Sequence, residues 1–335
     1  MNYIGSKLKL SQWIYSEITS YVGNDLKDKV FCDLFAGTGI VGRTFKKDVK
    51  KIISNDMEEY SYILNKNYIE NTFDIKDKYN YLELLNNLPL IEDGFIFNNY
   101  CMGSGSERQY FSDYNGKKID TIRQEIERLK ISNEIDMNLY YFLLCSLLES
   151  ADKVANTASV YGAFLKHIKK SASKELVLEE AQFDITNKKN DVYNCDANEL
   201  IKNIKGDILY LDPPYNQRQY GANYHLLTTI AKYDNFIPKG KTGMREYSRS
   251  QYCSKKEVCS SFEELIKSAD FKYIFLSYNN EGLMTLEDIE NIMSKYGKYT
   301  PDVQQTYQRF KADKTENRNH KADSTFEYLH ILEKN

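Results

Sequence analysis

Ile208-Leu209-Tyr210-Leu211-Asp212-Pro213-Pro214-Tyr215 is the stretch on which the fold of this chain turns. Four consecutive apolar residues predict a buried parallel strand. The prolines end it, because proline cannot donate to a sheet ladder. A carboxylate, two prolines and an aromatic ring are therefore held at the carboxyl end of a core strand. That is the edge where open α/β sheets form their ligand crevices. A tight turn would need only the prolines. Asp212 and Tyr215 beside them point to a catalytic site.

Upstream, Val30 to Leu34 predicts a short strand, followed by the turn Asp33-Leu34-Phe35-Ala36-Gly37-Thr38-Gly39. A helix is expected from near Ile40, and Ile52-Ile53-Ser54-Asn55-Asp56 reads as a second strand ending in an acid. This is a βαβ unit. Gly37-Thr38-Gly39-Ile40-Val41-Gly42 matches the dinucleotide pattern G-x-G-x-x-G, with Asp56 at the expected distance. The glycines permit close backbone approach, and a carboxylate at Asp56 can bind ribose hydroxyls. The pattern indicates an adenosine-containing cofactor without saying which. Asp33 before the glycines and the later Asp-Pro-Pro-Tyr both lean away from hydride transfer with NAD.

Between about 79 and 189 the character changes. Phe95 to Gly116 has no clean periodicity, and helical spacing follows at Ile119–Leu129, Met137–Val154 and Tyr161–Leu178. With no strand among them, this region reads as a mostly helical insertion, with 1–78 and 190–335 forming the α/β domain. The insertion carries Arg108, Gln109, Lys117, Lys118, Arg123, Lys166, His167, Lys169 and Lys170. Taken singly, such charges are ordinarily solvated helix faces. Beyond it, strands are expected at Val192–Cys195, Tyr273–Tyr278 and Glu327–Leu332, and helices at Ala222–Lys232 and Thr285–Tyr296. Residues 237–256 hold Lys239, Lys241, Arg245, Arg249, Lys255 and Lys256 against Glu246 alone, a local charge of +5 in a chain of net charge −3. With Gly240 and Gly243 in it, this reads as a flexible phosphate-contacting loop.

The 335 residues suffice for one large domain or a domain with an insertion. A charged fraction of 28% and a mean hydropathy of −0.60 fit a soluble globular chain. The N-terminus lacks an apolar signal core and no 18-residue apolar run exists, so a cytoplasmic protein without a membrane span is expected. Six scattered cysteines, none in a Cys-x-x-Cys pair, and four scattered histidines argue against a structural metal or a disulfide framework.

Phe35, Gly37, Gly39, Asp56 and Asp212-Pro213-Pro214-Tyr215, preceded by Tyr3-Ile4-Gly5-Ser6-Lys7, together resemble the D12 class of N6-adenine DNA methyltransferases. Glu107-Arg108-Gln109-Tyr110-Phe111, Asn115-Gly116 and Ile119-Asp120 with Arg123 are similar to that family's insertion. The resemblance covers nearly the whole chain. It implies a seven-stranded, Rossmann-like α/β sheet that uses S-adenosylmethionine, with a DNA-recognition insertion. It further implies that Tyr3 and Lys7 line the methionine end of the cofactor, that Asp33, Phe35, Gly37 and Gly39 form its turn, and that Asp56 binds its ribose. Asp196 would meet the adenine ring, although it stands equally well as a helix cap before Ala197. Double-stranded DNA would be held by Arg108, Lys117, Lys118, Lys239, Lys241, Arg245 and Arg249, and a cognate restriction endonuclease would share the target site. A monomer is expected.

The exocyclic amine of adenine is a weak nucleophile because its lone pair is delocalised into the ring. Acceptors aimed at its hydrogens favour the tetrahedral nitrogen and its developing positive charge. Asp212 and the Pro213 carbonyl would supply them, Pro214 would stiffen the turn, and Tyr215 would stack on a base taken out of the duplex. Stacking of this kind is worth roughly 1–3 kcal/mol per base. The same acceptors suit cytosine N4, RNA adenine or a protein glutamine. An NAD-dependent oxidoreductase and a non-catalytic nucleic-acid-binding module are the readings from other classes.

Overall fold

The computed structural model describes residues 5–308 and 324–335. Seven strands form one sheet: β1 (Val30–Asp33), β2 (Lys51–Asn55), β3 (Asp191–Tyr193), β4 (Lys205–Leu211), β5 (Asp270–Asn279), β6 (Gly297–Gln308) and β7 (Ser324–Lys334). Their spatial order is β3-β2-β1-β4-β5-β7-β6. β1 to β5 are mutually parallel, and β7 runs antiparallel between β5 and β6. The expected strand at 208–211 is the end of β4, in the centre of the sheet. An antiparallel strand inserted between the fifth and sixth departs from the all-parallel 3-2-1-4-5-6 order of dinucleotide-binding sheets.

The sheet is buried on both faces, which is why β4 reads as a continuous apolar run. Phe31, Ile52, Ile208, Tyr210 and Phe275 pack against Ile14 and Ile18 of the helix Ser11–Val22 and against Val41 and Phe45. Cys32, Ile53, Leu209, Leu211, Ile274 and Leu276 meet the helices Val258–Ser268 and Leu286–Met293 on the other side. A third core joins the helices Asp113–Ile131 and Met137–Lys153 of the expected insertion to Glu59–Asn65 and His225–Lys232. Helices Asp113–Ile131 and Met137–Lys153 therefore share apolar packing with a helix that follows the Asp-Pro-Pro-Tyr turn.

One expected helix fails, and one strand appears where none was expected, each for a physical reason. The helical spacing over 161–178 does not give a helix; the segment is an irregular strap over the third core. Side-chain amides take the backbone groups that a helix would pair internally. Gln109 donates to the carbonyls of Leu165 and Lys166, Asn115 bonds Lys174 O and Leu176 N, and Asn86 bonds both groups of Leu178. Tyr161, Leu176 and Leu178 are buried one by one rather than as a stripe. Strand β6 was not foreseen. Its sequence is polar and contains Pro301, an edge-strand composition, and the proline falls where the register shifts between Thr300 and Val303.

Candidate active site

From β1 the chain crosses outward to β2 and β3, then returns to β4 on the other side of β1. The crevice at such a reversal opens above the carboxyl ends of β1 and β4. Asp33 ends the first and Asp212 follows the second. A cleft of about 880 Å³, counting its open mouth, lies there. Lys7, Asp33, Phe35, Gly37, Asp56, Asp196, Asp212 and Pro214 all line it. Of the remaining expected residues, Gly39 closes the turn by donating its amide to the Ala36 carbonyl at 2.7 Å, Pro213 and Tyr215 belong to the Asp212 loop, and Tyr3 lies outside the described residues.

The glycine turn is held from two sides. Gly37 adopts φ +52° and donates its amide to Asp56 Oδ2 at 2.8 Å. Its carbonyl accepts from the Asn65 carboxamide at 3.1 Å and from Ser61 Oγ. Asn65 also takes the Ser54 hydroxyl at 2.8 Å, so a buried asparagine on the helix after β2 props the turn. It was not identified from sequence, where an Asn in an apolar helix has no distinguishing signal. Asp56 accepts a second amide, from Glu58 at 2.9 Å, while burial raises its pKa.

Asp33 is 1% exposed. Its Oδ2 accepts the Gly42 amide at 3.0 Å, and its Oδ1 is buried with no hydrogen-bond partner among the described residues. Burial pushes its pKa up to about 7; the Gly42 amide opposes the rise, and Asp212 and Asp56 add to it. This contact decides between the two cofactor readings of Gly37–Gly42. In the dinucleotide fold the first amides of the helix after the glycines face a pyrophosphate. Here a carboxylate already holds one of them, and it would repel that group. A buried acid with a spare oxygen fits a cationic ligand such as a sulfonium. Phe35 meets Tyr252 edge-on at 5.0 Å, giving the cleft an apolar wall.

At the other end, Lys7 comes from a short 3-10 turn (Lys7–Lys9) and is 4% exposed. Its ammonium lies 2.9 Å from Asp212 Oδ1 and 3.1 Å from Glu327 Oε1. Burial works against the charge on Lys7, but the two carboxylates override it and raise its pKa well above the usual lysine value. Burial raises the Asp212 carboxyl, with Lys7 restraining the rise. Tyr215 meets Tyr278 edge-on at 6.3 Å. The Lys7 ammonium stands 5.8 Å from the Tyr215 ring centre. Asp196 does cap the helix Ala197–Leu200, accepting from Asn198 N at 2.8 Å, and also faces the cleft.

The basic residues divide. Lys118 is 3% exposed and bonds the carbonyls of Leu85 and Asn86, so it ends a helix rather than facing outward. Arg123 is likewise buried, bonding the carbonyls of Ile230 and Ala231. Arg245 makes a two-pronged pair with Asp234 at 3.0 and 2.9 Å, with only 9% of its side chain exposed. Lys117 pairs with Glu92, and Lys239 with Glu246. Arg108 donates to the carbonyls of Asn99, Gly240 and Lys241 and so clamps the 239–244 turn to the segment around Asn99. The expected flexibility of that turn is thereby corrected: Lys239 and Met244 bond each other at both backbone groups, and Tyr100 Oη donates to Gly243 O at 2.8 Å. Lys241 and Arg249 are exposed, as is Arg218 just past the Asp-Pro-Pro-Tyr turn.

Residues 3–300 match the model of the D12 class N6 adenine-specific DNA methyltransferases. The chain is 66% identical over 334 residues to Type II methyltransferase M.NlaIII of Neisseria lactamica, covering 100% of this chain and 99% of that one. It is 41% identical to Type II methyltransferase M.CviAII of Paramecium bursaria Chlorella virus 1 over 93% of each chain. It is 40% identical to Type II methyltransferase M.FokI of Planomicrobium okeanokoites, covering 100% of this chain and 53% of that one.

Proposed function

The chain belongs to the D12 class of N6 adenine-specific DNA methyltransferases, and from that membership we propose how its cleft carries out the transfer. The enzyme methylates adenine N6 in DNA at a specific site, with S-adenosylmethionine as donor. When bound, the donor supplies a methyl group on a sulfonium that leaves as a neutral thioether. The adenine N6 lone pair would take that methyl, with the C–S electron pair kept by the departing sulfur and the displaced N6 proton released to solvent. Asp212 accepts one N6–H and the Pro213 carbonyl the other; Pro214 holds the turn and Tyr215 stacks on the flipped base. Asp33, Phe35, Gly37, Gly39 and Asp56 hold the donor, with Asp196 at its far end. The observation that carries this reading is the placing of Asp212 and the Asp33–Asp56 turn on one cleft. Transfer of labelled methyl to adenine N6 in duplexes of all short sequences, read by mass spectrometry, is the test. Absence of label from every duplex would defeat it.

Asp33 makes donor binding pH-dependent. Its folded pKa of about 7 lies above the ordinary carboxylate value. Its contribution to the stability of the ligand-free chain is therefore full at low pH and lost as pH rises through about 7. A cationic donor gains the opposite way, because it prefers the ionised carboxylate. Affinity for S-adenosylmethionine should rise roughly tenfold between pH 6 and 8. Calorimetric titration checks this, and Asp33→Asn should flatten the dependence.

DNA recognition is assigned to the 79–189 region together with the clamped 239–244 turn, with Lys241, Arg249, Lys239 and Lys117 on phosphates and Arg108 acting through the clamp. Arg108→Ala frees the turn, so the KM for DNA should rise about tenfold, a loss of about 1.4 kcal/mol, with donor affinity unchanged. An unaltered KM would remove Arg108 from recognition. Double-stranded substrate, action as a monomer in the cytoplasm and a cognate restriction endonuclease complete the reading. No helix among the described residues is long and apolar enough to cross a membrane.

A further inference from the structure

Asp212 does not stand alone behind the cleft. Its Oδ1 is held by Lys7 at 2.9 Å, and the same ammonium reaches Glu327 Oε1 at 3.1 Å. Glu327 is 4% exposed and belongs to β7, more than a hundred residues away in sequence. It is anchored in turn by the Ser277 hydroxyl of β5, which donates to Oε1 at 2.6 Å. Two carboxylates around one ammonium leave a buried cluster with one net negative charge. The Lys7 contact falls on Asp212 Oδ1, not on Oδ2.

We propose that Glu327 is a positioning residue for methyl transfer, acting through Lys7 to hold Asp212 Oδ1 while the second carboxylate oxygen is left for the substrate amine. A lone Lys7–Asp212 pair would draw electron density from Asp212 and weaken it as an acceptor. Glu327 shares the ammonium, so Asp212 is oriented without being neutralised. A buried ion pair left without further partners is an expensive way to orient a group, and Ser277 and Glu327 supply those partners. This inference rests on the adenine-methylating role of the cleft and adds a residue from the last strand to it.

The test is the pH–rate profile of full-length wild-type, Glu327→Gln and Lys7→Met proteins at saturating donor. Lys7 and Glu327 act on Asp212 directly, Asp33, Tyr210 and Tyr220 share its field, and Tyr215 faces Lys7. Asp33 is common to all variants, and burial keeps Tyr210 and Tyr220 neutral throughout the range. Removing the Glu327 charge should move the acid limb about one unit to lower pH, whereas removing Lys7 should move it about one unit higher. In Glu327→Gln, kcat should also fall about ten- to a hundredfold, with donor affinity and melting temperature nearly unchanged. An acid limb that stays at the wild-type pH in Glu327→Gln would overturn the proposal even if rate is lost. Should that variant not fold, Glu327→Asp, whose carboxylate sits a methylene further from Lys7, should shift the limb the same way by less; a wild-type limb and kcat would count against it. A wild-type protein that fails to methylate adenine would instead refute the function itself.

Discussion

Replacing Asp212 with alanine should lower kcat by about 10²–10³ while leaving the affinity for S-adenosylmethionine almost intact. The size is that of removing one preorganised partner of the charge that develops in a transition state. The change should not unfold the protein, because Lys7 keeps its second carboxylate, Glu327 at 3.1 Å, and is not left as a bare buried charge. Donor affinity is spared because the glycine turn, Asp33 and Asp56 owe no hydrogen bond to Asp212. Single-turnover rates on an adenine-containing duplex, alongside calorimetric donor binding, measure both quantities. Retention of kcat within about tenfold of wild type would remove Asp212 from the chemistry.

Gly39→Ala should act on the opposite end of the cleft and by a different route. Gly39 adopts φ +74°, where a side chain is strained, and a Cβ there would overlap the Asn65 carboxamide. The backbone strain alone is about 1–3 kcal/mol. Asn65 cannot move aside cheaply, since it carries hydrogen bonds to Ser54, to the Gly37 carbonyl and to Ser61 O. The expected outcome is lower thermal stability together with at least about tenfold weaker donor binding, because the Gly37 amide and Asp56 are displaced with the turn. Donor binding at wild-type strength would show that the turn tolerates the shift and does not shape the cofactor site.

These two variants separate the halves of the cleft: one should lose turnover with binding kept, the other binding and stability. Arg108→Ala and the Asp33 pH dependence add independent readouts, of DNA affinity and of donor charge. Glu327→Gln then asks how Asp212 is kept in its working geometry.

What the sequence determined by itself was local. The run Ile208–Leu211 announced a central strand because a strand buried on both faces needs apolar residues without alternation. Asp33, Gly37, Gly39 and Asp56 were legible because a tight turn and a carboxylate at a strand end leave fixed marks at fixed spacing. What the tertiary structure alone decided was which charges meet. Lys7, Asp212 and Glu327 are far apart along the chain and join only because β7 inserts beside β5, while Lys118 and Arg123 turn inward although their residue types suggested solvent. The 161–178 periodicity misled for a related reason: Gln109, Asn115 and Asn86 claim that backbone from elsewhere in the chain. Spacing records what neighbours along the chain can do together. The partner of a buried charge is set by the packing that removes it from water, and that packing exists only in the folded chain.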